Sequence, residues 1–321
     1  MKVGVLTVPF SGKTLEETLK YLTSLGVYTV ELGTGGYPGN AHANPDVLLH
    51  DEKALKAFQD TIQGYKVTIS ALSCHGNPVH PQPKIAEAFH QAFEKTVLLA
   101  EKLGIDTVIT FSGCPGGSKV DMTPNWAVSA WPNDFQDILK YQWEEVLIPY
   151  WKHAAAFAKS HGVTKIALEM HPGFSVYNPE TMLKLRSAVG DIMGANFDPS
   201  HLFWQGIDPV LAIKDMGKAI HHFHAKDTQM FEENVKKNGV LDMKTYAHLK
   251  ERAWIFRTVG YGHDEKVWKD IITMLRITGY DGAISIEHED SLMSINEGLE
   301  KAVHFLQGLV IQEQPGQAWW F

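Results

Sequence analysis

Four short apolar runs in this sequence end in side chains of the types that ligate metals. They read Ile166-Ala167-Leu168-Glu169-Met170-His171, Gly194-Ala195-Asn196-Phe197-Asp198-Pro199-Ser200-His201, His221-His222-Phe223-His224-Ala225-Lys226-Asp227 and Ile284-Ser285-Ile286-Glu287-His288-Glu289-Asp290. Successive side chains of a strand point to opposite faces. If Glu169 points inward, Ala167 faces inward one layer below and Leu168 faces outward. The same phase sets Asp198 over Asn196, His224 over His222 and Glu287 over Ser285, and it turns the apolar Phe197, Phe223 and Ile286 outward. Four strands sharing one phase predict that Glu169, Asp198, His224 and Glu287 converge. Three carboxylates and an imidazole brought together without a counter-charge would repel, or neutralise by shifting their pKa values. A divalent cation removes that conflict. Oxygen-rich ligation with one histidine suits Mn2+, with Mg2+, Co2+ or Zn2+ also accommodated.

Such a cluster needs elements that bring four strand ends to one place, and the rest of the chain supplies them. Short β-branched runs recur at Val3–Thr7, Tyr28–Leu32, Val67–Leu72, Thr107–Phe111, Lys165–Met170, Met193–Phe197, Ile220–Ala225 and Ala283–Glu287. Amphipathic helical patterns lie between them: Thr14–Leu25, Asp51–Gln63, Lys84–Leu103, Asp134–Ser160, Pro179–Ala188, Pro209–Met216, Glu265–Thr278 and Ile295–Leu309. Thr14-Leu15-Glu16-Glu17 reads as a capping box, and Gly26, Gly104, Gly162 and Gly279 stand where left-handed helix ends are wanted. Strands alternating with helices form parallel sheets through crossovers. Eight such units without a linker predict an α/β chain closed as a (β/α)8 barrel over residues 1–311, followed by an apolar tail at 312–321. Two connections are long, 112–133 after the fourth run and 227–264 after the seventh, the latter with a helical pattern near Lys244–Glu251. Both leave the C-terminal ends of strands, where barrel enzymes build their sites, and they read as lids.

Composition narrows the partners. The 321 residues carry 29 Lys+Arg against 37 Asp+Glu, a formal net charge of −8, which argues against a nucleic-acid partner. No apolar run approaches the ~18 residues of a membrane helix. The N-terminus reads as a strand rather than a signal peptide, and two cysteines, Cys74 and Cys114, make no disulfide framework; the expectation is a cytoplasmic protein with free thiols. Gly33-Thr34-Gly35-Gly36-Tyr37-Pro38-Gly39 matches neither phosphate-binding nor dinucleotide fingerprints and reads as a tight turn. The acidic His288-Glu289-Asp290 would repel a phosphate, so an unphosphorylated substrate is expected. Trp126, Trp131 and Trp204 offer faces for sugar or aryl stacking. The tail Ala318-Trp319-Trp320-Phe321 either folds back or joins a subunit interface, with the interface favoured.

The chain resembles the xylose-isomerase-like TIM barrel superfamily of sugar isomerases, ketose 3-epimerases, inosose-processing enzymes and the endonuclease IV group. The resemblance spans essentially the whole chain. It rests on Leu168-Glu169, Phe197-Asp198-Pro199-Ser200-His201, His222-Phe223-His224-Ala225-Lys226-Asp227, and Gly279-Tyr280-Asp281-Gly282 leading into Ile286-Glu287. Within it, Glu169-Met170-His171-Pro172-Gly173, His201 through Pro209 and Phe256 through His263 look like the barrel subunits of bacterial C-glycoside deglycosidases.

The resemblance implies one metal, commonly manganese, on Glu169, Asp198, His224 and Glu287, with Glu169 and Glu287 as an acid–base pair. The deglycosidase likeness adds His171 as a general base, with a hydrogen-bonding role beside the ligands as its alternative. His201 corresponds to a substrate-contacting or metal-adjacent histidine. Asp227 is expected to orient His224 or a substrate hydroxyl. His75 and Glu31 face the same mouth, with loop stabilisation an equal reading, and Trp126 is a candidate sugar contact. The ketose epimerases carry an arginine six residues past the histidine ligand, where this chain has Met230. The expected activity is proton abstraction beside a sugar carbonyl, leading to isomerisation, epimerisation or β-elimination from a 3-oxo-glucoside. The alternatives are a barrel subunit that binds sugar or a partner without catalysis and, more remotely, DNA repair of the endonuclease IV kind. A homo-oligomer, or a hetero-oligomer with a second subunit, is expected.

Overall fold

The computed structural model describes every residue except 315, 318, 319 and 321. Ten strands form among the described residues: β1 (Lys2–Leu6), β2 (Thr29–Gly33), β3 (Thr68–Ser73), β4 (Thr107–Phe111), β5 (Lys165–Glu169), β6 (Met193–Phe197), β7 (Ile220–Ala225), β8 (Asp227–Met230), β9 (Trp254–Arg257) and β10 (Ala283–Ile286). Eight of them close into a barrel in the order β1-β10-β7-β6-β5-β4-β3-β2, each pair parallel. The barrel strands fall on the eight β-branched runs, because residues buried on both faces must be apolar outward and small or paired inward. Outward, Phe197 and Phe223 stack at 5.8 Å beneath the helices. Inward, Ala71, Ile109 and Ala167 form a small plug of their own.

The connecting helices are set by their ends. Thr14 caps Leu15–Ser24 with a reciprocal capping box to Glu17, and Gly104 ends Pro83–Leu103 in the left-handed conformation at φ 68°. The pattern over 134–160 is one helical path in three parts: Asp134–Lys140, a π-helical segment Tyr141–Leu147, and Ile148–Ser160. Pro149 has no N–H to give to the carbonyl four residues back, and the wide segment ends just before it.

The two long connections differ. Residues 112–133 contain no helix or strand. They are tied down by Asn77, whose amide bonds both ways with the Cys114 backbone at 2.9 and 3.0 Å, and by Gln142 Nε2, which donates to the carbonyl of Asn125 at 2.7 Å. Residues 227–264 instead fold into an antiparallel ribbon of β8 and β9, with helices at Glu232–Asn238 and Tyr246–Glu251 between them. Among the described residues no helix is long and apolar enough to cross a membrane. Of the apolar tail, Ala318, Trp319 and Phe321 lie outside the described residues.

Candidate metal centre

The four strand-end residues meet. One ligand atom from each of Glu169, Asp198, His224 and Glu287 lies within 4.8 Å of the others. His224 Nδ1 stands 3.3 Å from Glu169 Oε2 and 3.2 Å from Glu287 Oε2. Asp198 shows how local structure aims a ligand. It is the N-cap of the short helix Pro199–Phe203, so Oδ1 accepts from Ser200 N at 2.9 Å. Its other oxygen, Oδ2, is buried and accepts no hydrogen bond, although Lys226 Nζ stands 3.1 Å away. His201 Nε2 is 3.3 Å from the same oxygen, so Oδ2 is met by charge without a well-aligned hydrogen bond and is open to a cation in their place. The donor set, three carboxylates and one imidazole around that oxygen, fits a divalent metal ion.

Further groups hold these side chains in place. Glu169 Oε1 accepts from His201 Nε2 at 3.0 Å, and Oε2 lies 3.1 Å from His75 Nε2 and 3.4 Å from Asn196 Nδ2. Burial alone would raise the Glu169 carboxyl, but hydrogen bonds from His201, His224 and His75 hold it well below the carboxylate range. Burial opposes charge on Glu287 too, and Lys226 and His224 keep it ionised. His75 and His201 are therefore brought to the cluster through Glu169, not merely to its rim.

His171 leaves β5 in the same phase and packs its ring 4.1 Å from that of His201 and 5.1 Å from Phe111. Its Nδ1 is 2.6 Å from the Pro172 carbonyl, which can only accept, so Nδ1 carries the hydrogen and Nε2 the lone pair. Burial pushes its pKa down to about 3, with the nearby His201 adding to the effect. The ring is thus neutral, with its lone pair at one known atom.

One expectation is corrected, and Trp126 stands apart from the cluster. Asp227 faces away from the cluster. Its Oδ2 accepts from the backbone N–H groups of Gly260, Gly262 and His263 at 3.0, 3.1 and 3.0 Å and from Trp268 Nε1 at 3.2 Å, while Oδ1 takes His263 Nδ1 at 2.8 Å. The carboxylate is spent on anchoring the segment after β9, because residue 227 has left β7 and opens β8, which pairs with β9 outside the barrel. Trp126 stands edge-on to Tyr177 at 5.5 Å and lines a separate cavity of about 930 Å³ that shares no residue with the four-residue cluster.

Of two further residues central to the site, Lys226 was not singled out from sequence, and Glu31, expected at the mouth, lies deeper. Lys226 is fully buried, with Nζ 2.6 Å from Glu287 Oε2 and 3.1 Å from Glu289 Oε2, and it lies 4.6 Å over the Phe256 ring. It continues the inward series His222, His224, Lys226, which was the available signal. Glu31 lies beneath His224 and faces its Nε2 at 2.9 Å, more deeply placed than a mouth residue.

A cavity of about 570 Å³ opens on Glu287. Leu6, Val8, Pro9, Phe256 and Met293 give it an apolar wall, and Glu289 and Asp290 give it an acidic edge.

The model of the family described as xylose isomerase-like TIM barrel matches residues 19–309. A protein of Bacillus subtilis (strain 168) described as uncharacterized protein YfiH is 39% identical over 314 residues, which cover 97% of this chain and 100% of that one. Among solved structures, the IOLI protein with a binding zinc atom is similar at a TM-score of 0.66 and 18% identity, covering 97% of this chain and 98% of that one. The probable 3-DHS dehydratase AsbF from Bacillus anthracis follows at 0.65 and 16%, covering 96% and 99%. A D-psicose 3-epimerase solved in the presence of D-fructose gives 0.62 and 14%, covering 96% and 98%. At such identities the structural likeness speaks for the fold alone.

Proposed function

Because this chain belongs to the xylose isomerase-like TIM barrel family, we propose that it is a divalent-metal-dependent enzyme that removes a proton beside the carbonyl of an unphosphorylated sugar or oxo-sugar. The observation that carries the reading is the convergence of one ligand atom each from Glu169, Asp198, His224 and Glu287 within 4.8 Å of one another. Those four residues would hold the ion, which supplies Lewis acidity that makes the C–H beside a bound carbonyl acidic. Manganese is the expected ion for this donor set.

The chain's own groups do the rest. His171 Nε2 accepts the proton, and the C–H electron pair moves into an enediolate. Lys226 places a fixed positive charge beside Glu287, where negative charge grows on the sugar oxygens. Protonation of the enediolate by solvent on the opposite face gives an epimer, and return of the His171 proton to the neighbouring carbon gives an isomer. Where a leaving group sits on the β-carbon, the electron pair expels it and it departs with a proton. The apolar wall formed by Leu6, Val8, Pro9 and Phe256 favours a substrate that carries an apolar group, which supports elimination from an oxo-glycoside over turnover of a free ketose. The acidic edge at Glu289 and Asp290 disfavours phosphate.

The test is solvent exchange. Protein loaded with Mn2+ is incubated in D2O with ketoses and 3-oxo-glucosides, and deuterium at the carbon beside the carbonyl is read by NMR, with Asp198→Asn as control. Exchange in the wild type and none in the variant is expected. Metal-loaded protein that exchanges no carbonyl sugar above buffer would overturn the reading and leave a sugar- or partner-binding barrel in its place.

A further inference from the structure

We infer that Glu31, which is outside the ligand set, positions His224 for the cation by fixing the tautomer and aim of its ring from beneath. The inference rests on the metal reading above. Glu31 sits on β2 and reaches across the barrel interior to β7, two strands that are not neighbours. Its carboxylate is wholly buried, and its two oxygens lie 3.0 and 2.9 Å from His224 Nε2. Ser285 Oγ on β10 donates to Oε2 at 2.8 Å, and Ser73 Oγ on β3 donates to Oε1. Hydroxyls from two further strands thus hold the carboxylate plane, so the acid cannot swing to another partner.

The chemistry of the pair decides the tautomer. Ser285 Oγ, Ser73 Oγ and His224 Nε2 all stand as donors around the two Glu31 oxygens, the arrangement of a carboxylate that accepts from every side. An ionised carboxylate only accepts, so Nε2 keeps its hydrogen. The nitrogen left for a metal is Nδ1, the one that faces Glu169 and Glu287. A carboxylate on the far nitrogen of a metal-bound histidine also makes the ring a better donor, and removing such a partner costs about 10–100-fold in metal affinity.

Glu31, His222 and His224 also lie close enough to suggest a second ion between them. The geometry points away from that. His222 Nδ1 is 3.9 Å from Glu31 and is engaged at 3.0 Å by Asn196 Oδ1, while the hydrogen bond from His224 already fills the gap. One ion per chain, above this layer, is the consequence.

The experiment titrates metal-free protein with Mn2+ by calorimetry and records the visible spectrum of Co2+-loaded protein, neither of which requires turnover. Glu31→Gln keeps the size and an accepting oxygen but loses the charge. We expect one ion per chain in both proteins, a dissociation constant about 10–100-fold weaker in the variant, and shifted Co2+ bands. Ser285→Ala, which frees one side of the carboxylate, is expected to weaken binding in the same direction by a smaller factor, and it stands in if Glu31→Gln does not fold. Unchanged affinity in the folded variants, with only metal-free stability reduced, would show a structural residue and overturn the inference. Two ions in the wild type, one of them lost in Glu31→Gln, would make Glu31 a ligand and overturn it too. A wild type that takes up no cation would instead sink the metal reading on which the inference stands.

Discussion

Lys226→Met keeps the length of a fully buried side chain and removes its charge. Lys226 Nζ lies within 3.1 Å of carboxylate oxygens of Asp198, Glu287 and Glu289. In metal-free protein this ammonium and the imidazolium of His224, raised well above the usual histidine range against burial by Glu31 and Glu287, are the positive charges facing those acids. Removing one partner of such a buried group costs about 3–5 kcal/mol. An unfolding entropy of about 2.1 cal/mol/K per residue over 321 residues amounts to about 0.7 kcal/mol/K, so the melting temperature in EDTA should fall by about 4–8 °C. Added Mn2+ supplies the missing charge, and no ammonium now competes for Asp198 Oδ2. The wild type should gain about 4 °C at a hundredfold excess over its dissociation constant, and the variant more. Thermal unfolding in EDTA and in Mn2+, with a metal titration of each protein, checks this. A metal-free variant melting within about 1 °C of wild type, or equal gains from Mn2+ in both, would refute the charge balance argued here.

Two more predictions follow from the same geometry. His171→Gln should lower solvent exchange about 10²–10⁴-fold while leaving metal content intact, because its ring bonds the Pro172 carbonyl rather than the cluster; exchange rates within a few-fold of wild type would remove it as the base. Metal-free stability should decline with acid through the buried neutral histidines. His222, lowered to about 4 by burial, binds its proton more weakly folded than unfolded, so its contribution is present above the unfolded pKa of about 6.5 and is lost as pH falls through 4. That loss is about 2–3 kcal/mol by pH ~4.5. His224, shifted the other way, opposes this decline only above the unfolded value of about 6.5, since its stabilisation is complete below that value and is lost as pH rises from there through the folded one. Urea unfolding in EDTA at about pH 7 and pH 4.5 measures the decline, and a slope unchanged in His222→Gln would contradict it.

The barrel was legible because its signal is periodic: eight β-branched runs and the helices between them survive any local ambiguity. The juxtaposition of Glu169, Asp198, His224 and Glu287 was legible for a related reason, since one inward phase on four strands leaves no other arrangement. What could not be read depends on contacts without a period. The ribbon of β8 and β9 joins Asp227–Met230, a polar stretch with no alternation, to a partner more than twenty residues on. The role of Glu31 depends on which side chains meet across the barrel, which one strand's sequence does not contain. Trp126 sits in a connection without regular structure, and only the path of that chain decides that it meets Tyr177 rather than the cluster.

Residues 222–227 show how little separates site from wall. His222 and His224 fall on the inner face of β7 and Phe223 and Ala225 on the outer, and Lys226 and Asp227 carry the same alternation just past its end. The inward face supplies in turn a buried neutral imidazole, a metal-facing imidazole and an ammonium set against Asp198 and Glu287. The outward face supplies a core aromatic, a small residue and a carboxylate that collects backbone N–H groups after β9. That second role bears on the first. Asp227 fixes the start of the 258–268 segment, and the same ribbon carries Phe256, which covers Lys226 and walls the cavity beside Glu287. A shift of one residue in this strand would turn Asp227 into the barrel and Lys226 out of it, exchanging a counter-charge for a fourth repelling carboxylate. The alternation that builds the ligand cluster is therefore also what ties the substrate-facing wall to it.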